Sequence, residues 1–535
     1  MKNRITFRGI TILLLMGIML TCTPKPYFFR NNYQDANRLL HETQNLNKEY
    51  FLKAHLQNGD VYILRDTWEI DTVQNLILGT GSRFDYNRNK ISEGLLSVVL
   101  DSVVIFETNK MLEKTESKRI RALAILAGVD VAVGALCLTN PKACFGSCPT
   151  FYINGEDNFH FADAEGFSNA ISPSMEYFDI DALNNSRIFS NTFSLTMKNE
   201  ALESHMIRNL KLLAFPRSRE QRIYQSPQNE FYRCENNYLL AEVNSPEGND
   251  PFLLKFQDRK ERFSLADPDN LSSKEEIILT FDKIEDRQDL GLLINFRQTL
   301  MTTYFIYSAM GYMGDEVGDI FATMETSSAT KEQLENGIKK ELGDIDIYVF
   351  DKSNGSWIHQ GGFYETGPVA FNRQILPLKT TAEAASIKIK IILNKGLWRI
   401  DDLALTNIRE KLQPKEILPC EVFNRDMPDA IAKEEINADD QYLISMSGSE
   451  YKFLFELPAA HDDYELFLYT KGYYLEWMRE SWIKDKDLLK LRQMIVNPKK
   501  YLRLEAESYK EYEQTMEEQF WDSKIDTKNF SYYGT

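Results

Sequence analysis

The chain has 535 residues, 43% of them hydrophobic and 12% aromatic, with 62 basic against 79 acidic residues and a formal charge of −17. That is enough apolar material for roughly three or four domains, so disorder is not its theme. Acidity of this size with no segregated basic patch excludes nucleic acid as a partner, and six cysteines are too few for a disulfide scaffold.

The N-terminus reads MKNRITFRGITILLLMGIMLTCTPKPYFF, with Lys2, Arg4 and Arg8 ahead of an apolar core from Ile10 to Leu20 and then Cys22. This is the layout of a secretory signal, too short for a comfortable membrane span. Residues 1–21 resemble a bacterial lipoprotein signal, in which Cys22 is lipidated and becomes the mature N-terminus; an ordinary cleaved signal and an uncleaved anchor are the other readings. The resemblance implies a cell-envelope protein, tethered by lipid to a bilayer surface without spanning it, and points to the outer membrane of a Gram-negative bacterium. Residues 22–48 read as the tether. Apart from Cys22, the chain holds Cys137, Cys144, Cys148, Cys234 and Cys420, an odd set for an oxidising compartment.

Residues 49–110 are expected to form a small antiparallel β domain, because "YFLKAHLQNGDVYILRD" places alternating apolar runs around Asn58-Gly59. Gly79-Thr80-Gly81 reads as a turn rather than a phosphate loop, since no helix follows and no third glycine is correctly spaced. Within residues 111–142, the stretch 122–138, "ALAILAGVDVAVGALCL", allows two main readings. As a membrane span it is at the short limit, and Asp130 near its centre would cost about 2.5 to 3.5 kcal/mol. As a buried or partner-covered helix, the preferred reading, it packs closely through Ala and Gly and Asp130 needs only one partner. A strand pair is the third.

Next comes "ACFGSCPTFYINGEDNFHFADAEGF", residues 143–167. Zinc would need two further ligands beside Cys144 and Cys148, and redox catalysis would use Cys-x-x-Cys, so a structural Cys144–Cys148 disulfide or buried free thiols are expected instead. Pro149 ends any helix, and Asn154-Gly155 joins two alternating runs as a hairpin that opens a β domain over residues 143–290. Residues 291–330 form a helical segment, running from about Arg297 to Met324, whose aromatics and methionines recur at core spacing.

In residues 331–410, "GDIDIYVFDKSNGSWIHQGGF" is strand, turn, strand, and "AASIKIKIILNKGLWRIDDLALTNI" adds two more strands. Residues 343–408 resemble part of a galactose-binding-like jelly roll, whose closing strand often runs aromatic-x-Ile-Asp-Asp-hydrophobic, matched here by Trp398, Ile400, Asp401, Asp402 and Leu403. The resemblance implies a glycan-binding β-sandwich, with Trp357, Trp398, Asp401 and Asp402 as ligand-binding candidates, and a structural calcium at Asp401 and Asp402 as one option against strand-end hydrogen bonding. Residues 411–535 read as a mixed α/β region, with strands to about Thr470 and amphipathic helix from Lys484 to Phe520.

With six histidines and no nucleophile elbow, zinc helix or P-loop, no catalytic residue, metal ligand or cofactor is assigned, and His461-Asp462-Asp463 reads as a polar turn. The expected fold class is α+β: mainly β, with several antiparallel sheet domains, a jelly-roll-like domain and a helical C-terminal region. The expected function is a non-catalytic envelope lipoprotein that binds glycan or an envelope protein. The rival is a hydrolase acting on polysaccharide or peptide, whose mark would be two carboxyls about 5 to 9.5 Å apart in an aromatic cleft, with split pKa values.

Overall fold

The computed structural model describes residues 30–32, 51–108, 148–153 and 162–527, less 57, 72, 86–89, 187, 189, 250, 287, 327–336, 365, 380–384, 459–463, 477–481, 483–484, 523 and 526. Cys22, residues 122–138, Cys144, Asn154-Gly155, His160 and His461-Asp462-Asp463 therefore lie outside the described residues. The chain is mainly antiparallel β with helices, as its alternating patterns require.

Strands β1 (Arg30–Asn32), β2 (Phe51–Leu56), β3 (Val61–Asp71), β4 (Leu76–Phe84), β5 (Lys90–Val99) and β6 (Val103–Thr108) form one sheet in the order β1-β6-β2-β3-β4-β5. The Asn58-Gly59 hairpin is present: Gly59 takes φ 84°, and Asn58 Oδ1 accepts from Asp60 N at 3.0 Å. Gly79-Thr80-Gly81 is not the expected turn but the middle of β4, paired on both sides. A Cβ on Gly81 would lie 1.9 Å from the Ile63 carbonyl oxygen, so glycine is there to let β3 and β4 approach.

Then follow β7 (Thr150–Ile153), β8 (Ala164–Glu165), β9 (Tyr177–Ala182), β10 (Thr192–Lys198) and β11 (Glu203–Pro216), and after them β12 (Arg222–Gln225), β13 (Phe231–Asn244), β14 (Arg262–Phe263), β15 (Lys274–Phe281) and β16 (Leu290–Gln298). The expected helix after Arg297 is two helices, α1 (Met301–Met313) and α2 (Val317–Thr326). They break at Gly314, which takes φ 56° and where a Cβ would lie 2.6 Å from Lys486 Cβ. Strands β17 (Ile345–Asp351), β18 (Ser356–Phe363), β19 (Asn372–Pro377), β20 (Ile387–Asn394) and β21 (Trp398–Leu412) complete this part. The chain continues through β22 (Lys415–Ile417), β23 (Glu421–Asn424), β24 (Met427–Pro428), α3 (Ala430–Asn437), β25 (Leu443–Met446), β26 (Glu450–Glu456) and β27 (Tyr464–Glu476). It ends in α4 (Leu488–Val496), α5 (Pro498–Leu504), α6 (Ala506–Glu513) and α7 (Met516–Asp522).

Pairing crosses the divisions read from the sequence near residues 290 and 410. Strand β10 pairs with β26, and β11 with β27, so residues 150–216 share two sheets and one core with residues 421–476. The intervening strands β12 to β21 form a ten-stranded sheet of their own. Its core is finished by the C-terminal helices, through Leu491, Tyr501, Tyr509 and Phe520. Alternation marks each strand, but partner choice at separations of two hundred residues leaves no local mark in the chain.

Candidate functional site at a barrel mouth

Five strands of the ten-stranded sheet close on themselves: β13 pairs with β21, β21 with β16, β16 with β19, β19 with β12 through Gln225 and Gln374, and β12 with β13. Each contributes one side chain to a small buried cluster, namely Tyr224, Cys234, Leu293, Ile375 and Ala404. Side chains two positions apart on a strand share a face. Asn295, Arg373 and Asp402 therefore make the next layer, and the register joins them, with Asn295 opposite both Arg373 and Asp402. This layer is polar. The Arg373 guanidinium lies 5.5 Å from the Tyr224 ring centroid, donates through Nη2 to Asp402 Oδ2 at 2.8 Å and through Nη1 to Gln257 Oε1 at 3.0 Å.

Asp401 belongs to the same mouth because of a β-bulge. Asn295 faces Asp402 and Phe296 faces Ile400, which leaves Asp401 as the extra residue and turns it inward beside Asp402 instead of to the opposite face. Both are buried. Asp401 Oδ1 accepts from Arg259 N at 2.8 Å and Asp258 N at 3.3 Å, and Oδ2 accepts from Asn295 Nδ2 at 2.9 Å. Burial, followed by the neighbouring Asp402 charge, pushes the Asp401 carboxyl up to about 6. Burial also raises Asp402, against the pull of Arg373. The cation facing Asp402 is thus a guanidinium of the chain itself, and among the described residues no group of three or more His, Cys, Asp or Glu gathers as a metal cluster.

The mouth opens into a cavity of about 290 Å³ whose wall is shared by two parts of the chain. Gln257, Arg259, Asn295, Phe371 and Asp401 come from the barrel side, and Tyr152, Ala162, Asp163, Asn184 and Asn185 come from the segment around β7 to β9. The two sides touch through a β-bridge between Ala162 and Ala370. Asp163 accepts from Ile153 N at 2.7 Å through Oδ2 and from Asn185 Nδ2 at 2.8 Å through Oδ1, and burial raises its pKa while Arg259 opposes that. Three buried polar atoms of the mouth have no partner: Asn295 Oδ1, Asp402 Oδ1 and Arg373 Nε. Asn295 lines the cavity, with Asp402 and Arg373 behind it in the same layer, and two unpaired acceptors and one unpaired donor form a constellation for a ligand, or ordered water, that both donates and accepts.

Of the four ligand-binding candidates read from the sequence, the structure brings Asp401 and Asp402 together at this mouth. Trp398 is 2% exposed and packs on Phe296 with ring centroids 5.8 Å apart, facing a different cavity. Trp357 stands on β18, the edge strand, against Phe350 and under Lys390. Cys148 is buried and donates to Glu165 Oε1 at 3.3 Å; burial and Glu165 hold its thiol far above the ordinary range, so it is no nucleophile. Asn295, Arg373, Asp163, Gln257 and Arg259 carry no signal in the sequence, because only register, bulge and bridge bring them together.

No protein family and no curated protein matches the chain. Among solved structures, BuGH86 in complex with neoagarooctaose aligns with 44% of this chain and 34% of its own, at 6% identity and a TM-score of 0.17. A GH31 alpha-xylosidase from Xanthomonas citri aligns over 78% and 36% of the two chains, at 8% identity and 0.14, and the secreted serine protease VesC from Vibrio cholerae over 72% and 97%, at 8% and 0.13. The chain spans about a third of the BuGH86 length, 34%. At such TM-scores the likeness defines neither fold nor activity.

Proposed function

We propose that the chain is a non-catalytic binding protein of the bacterial cell envelope, lipid-anchored at Cys22, whose barrel mouth holds a glycan.

 
The observation that carries this reading is the polar layer over the barrel core: Asn295 Oδ1, Asp402 Oδ1 and Arg373 Nε are buried without partners, and Asn295 lines the cavity. A sugar ring offers neighbouring hydroxyls that both donate and accept, which is what two acceptors and one donor in this polar layer require. Tyr152 and Phe371 add ring surface to the same wall. The anchor rests on the leader and Cys22; among the described residues no helix is long and apolar enough to cross a membrane.

Calorimetric titration of the purified chain with a panel of envelope oligosaccharides tests the site. Asn295→Ala and Arg373→Met are expected to weaken binding by about tenfold, one hydrogen bond to the ligand in a buried site being lost in each case. A ligand whose affinity neither variant changes would place it elsewhere. For the anchor, a Cys22→Ala variant is expected to leave the membrane fraction on alkaline carbonate extraction, and its retention there would argue for a span.

One observation favours the hydrolase reading: Asp163 and Asp401 share the cavity and both have raised pKa values. They are raised together rather than split, and each already accepts hydrogen bonds on both of its oxygens. The binding reading expects no release of reducing ends from any oligosaccharide that binds; release abolished by Asp401→Asn would replace it with the hydrolase.

A further inference from the structure

A second cavity, of about 510 Å³, lies on the other side of Trp398, between α1, α2, α4 and the start of β21. Its volume is within the range of small-molecule sites. Its apolar wall includes Phe305, Met310, Met313, Met324 and Met494, with Trp398 among them, and Glu176, Lys339 and Asp344 also line it. Methionine is unbranched and polarizable, and a wall rich in it adapts to a flexible apolar occupant rather than to one rigid shape. Among the described residues, Trp398 in this wall is 2% exposed and its indole Nε1–H has no hydrogen-bond partner. A buried indole N–H usually finds an acceptor.

We propose that this cavity binds a single unbranched acyl chain whose carbonyl oxygen accepts the Trp398 Nε1–H. The methionine wall takes the hydrocarbon, and the unpartnered Trp398 Nε1–H fixes the polar end. The site is separate from the barrel mouth: Trp398 faces this cavity, whereas Asp401, three residues on, lines the other. The acyl chain is available from two sources, a free fatty acid or a membrane phospholipid.

The test uses the purified full chain and the quenching of tryptophan emission by 9,10-dibromostearate, with unlabelled myristate as competitor and vesicles of brominated phosphatidylethanolamine as a second arm. Saturable quenching reversed by myristate is expected, and the Trp398→Phe variant, which keeps the packing, should lose the quenched component and bind myristate roughly two- to tenfold more weakly. Ala309→Phe and Ile306→Phe place bulk in the cavity wall and should abolish quenching, with thermal unfolding checked in parallel. Quenching by vesicles but not by the free acid would assign the chain to a phospholipid, and the reverse to a fatty acid. Absence of saturable quenching in both arms overturns the proposal, as does full quenching in Trp398→Phe. If both filled variants fail to fold, the Trp398→Phe comparison decides alone.

Discussion

Glu165 is a carboxylic acid with almost no water around it. Its side chain is 1% exposed; Oε2 accepts from Val369 N at 2.7 Å and Ala370 N at 3.3 Å, and Oε1 from the Cys148 thiol. Its own backbone N–H donates to Asp181 Oδ2 at 3.1 Å. Burial outweighs these donors and pushes Glu165 up to about 7, Asp179 to about 6 and Asp181 well above its ordinary value. A folded-state pKa above the unfolded one means that folding favours the protonated acid. The contribution is therefore fully present below about pH 4.3, the unfolded value, and is lost as pH rises through 7. For Glu165 the loss across that window is on the order of 3 to 4 kcal/mol. The Glu165→Gln variant is expected to unfold at higher temperature than the native chain at pH 8 and at nearly the same temperature at pH 5, by thermal melts at both. Equal destabilisation at both would mean that the backbone donors of Val369 and Ala370 require a charged acceptor.

At the level of strands and turns, local chemistry was legible and long-range register was not. Asn58-Gly59 makes its hairpin because the turn needs positive φ and a short polar side chain, both encoded in two adjacent residues. Trp398, Ile400, Asp401 and Asp402 fall in one strand as their spacing implies, yet the two acids reach the same mouth only because β21 bulges against β16. Arg373 and Asn295 complete that mouth from strands that no pattern ties to the acids. Gly79-Thr80-Gly81 shows the converse: glycines that suggest a turn are placed mid-strand, for the approach of two backbones. Gly81→Val is therefore expected to cost more than about 2 kcal/mol, since the clash is with backbone that cannot rotate away. Trp68, opposite Gly79 in the β3–β4 pairing, packs in a buried cluster of this sheet and reports the loss by emission. Amide exchange should show the damage confined to β2 through β6, and unaltered protection there would remove the close-approach argument.

Over the whole molecule the chain order is interleaved twice. Residues 150–216 pair with 421–476 around the ten-stranded sheet, and helices after residue 488 return to close the core of that sheet. Arg297 fastens the return: it is buried, donates from Nε and Nη2 to Glu261 and from Nη1 to Glu517 Oε1 at 2.8 Å, and Glu517 also accepts from Arg399 Nε at 2.9 Å. Removing one member of a buried, hydrogen-bonded charge group strands the others, so Arg297→Met is expected to destabilise by about 3 to 5 kcal/mol. Because neither layer of strands has its core without chain from the far end, residues 148–527 should unfold as one unit despite their length. Two buried thiols read this directly, Cys148 in the core shared by residues 150–216 and 421–476, and Cys234 inside the barrel. In reduced protein, mass-spectrometric labelling across a guanidinium series is expected to give the same midpoint for both, and Arg297→Met should move both together although it touches neither. Midpoints that separate, or a shift in Cys234 alone, would mean that the barrel and its C-terminal helices unfold independently of the strands that flank them in sequence.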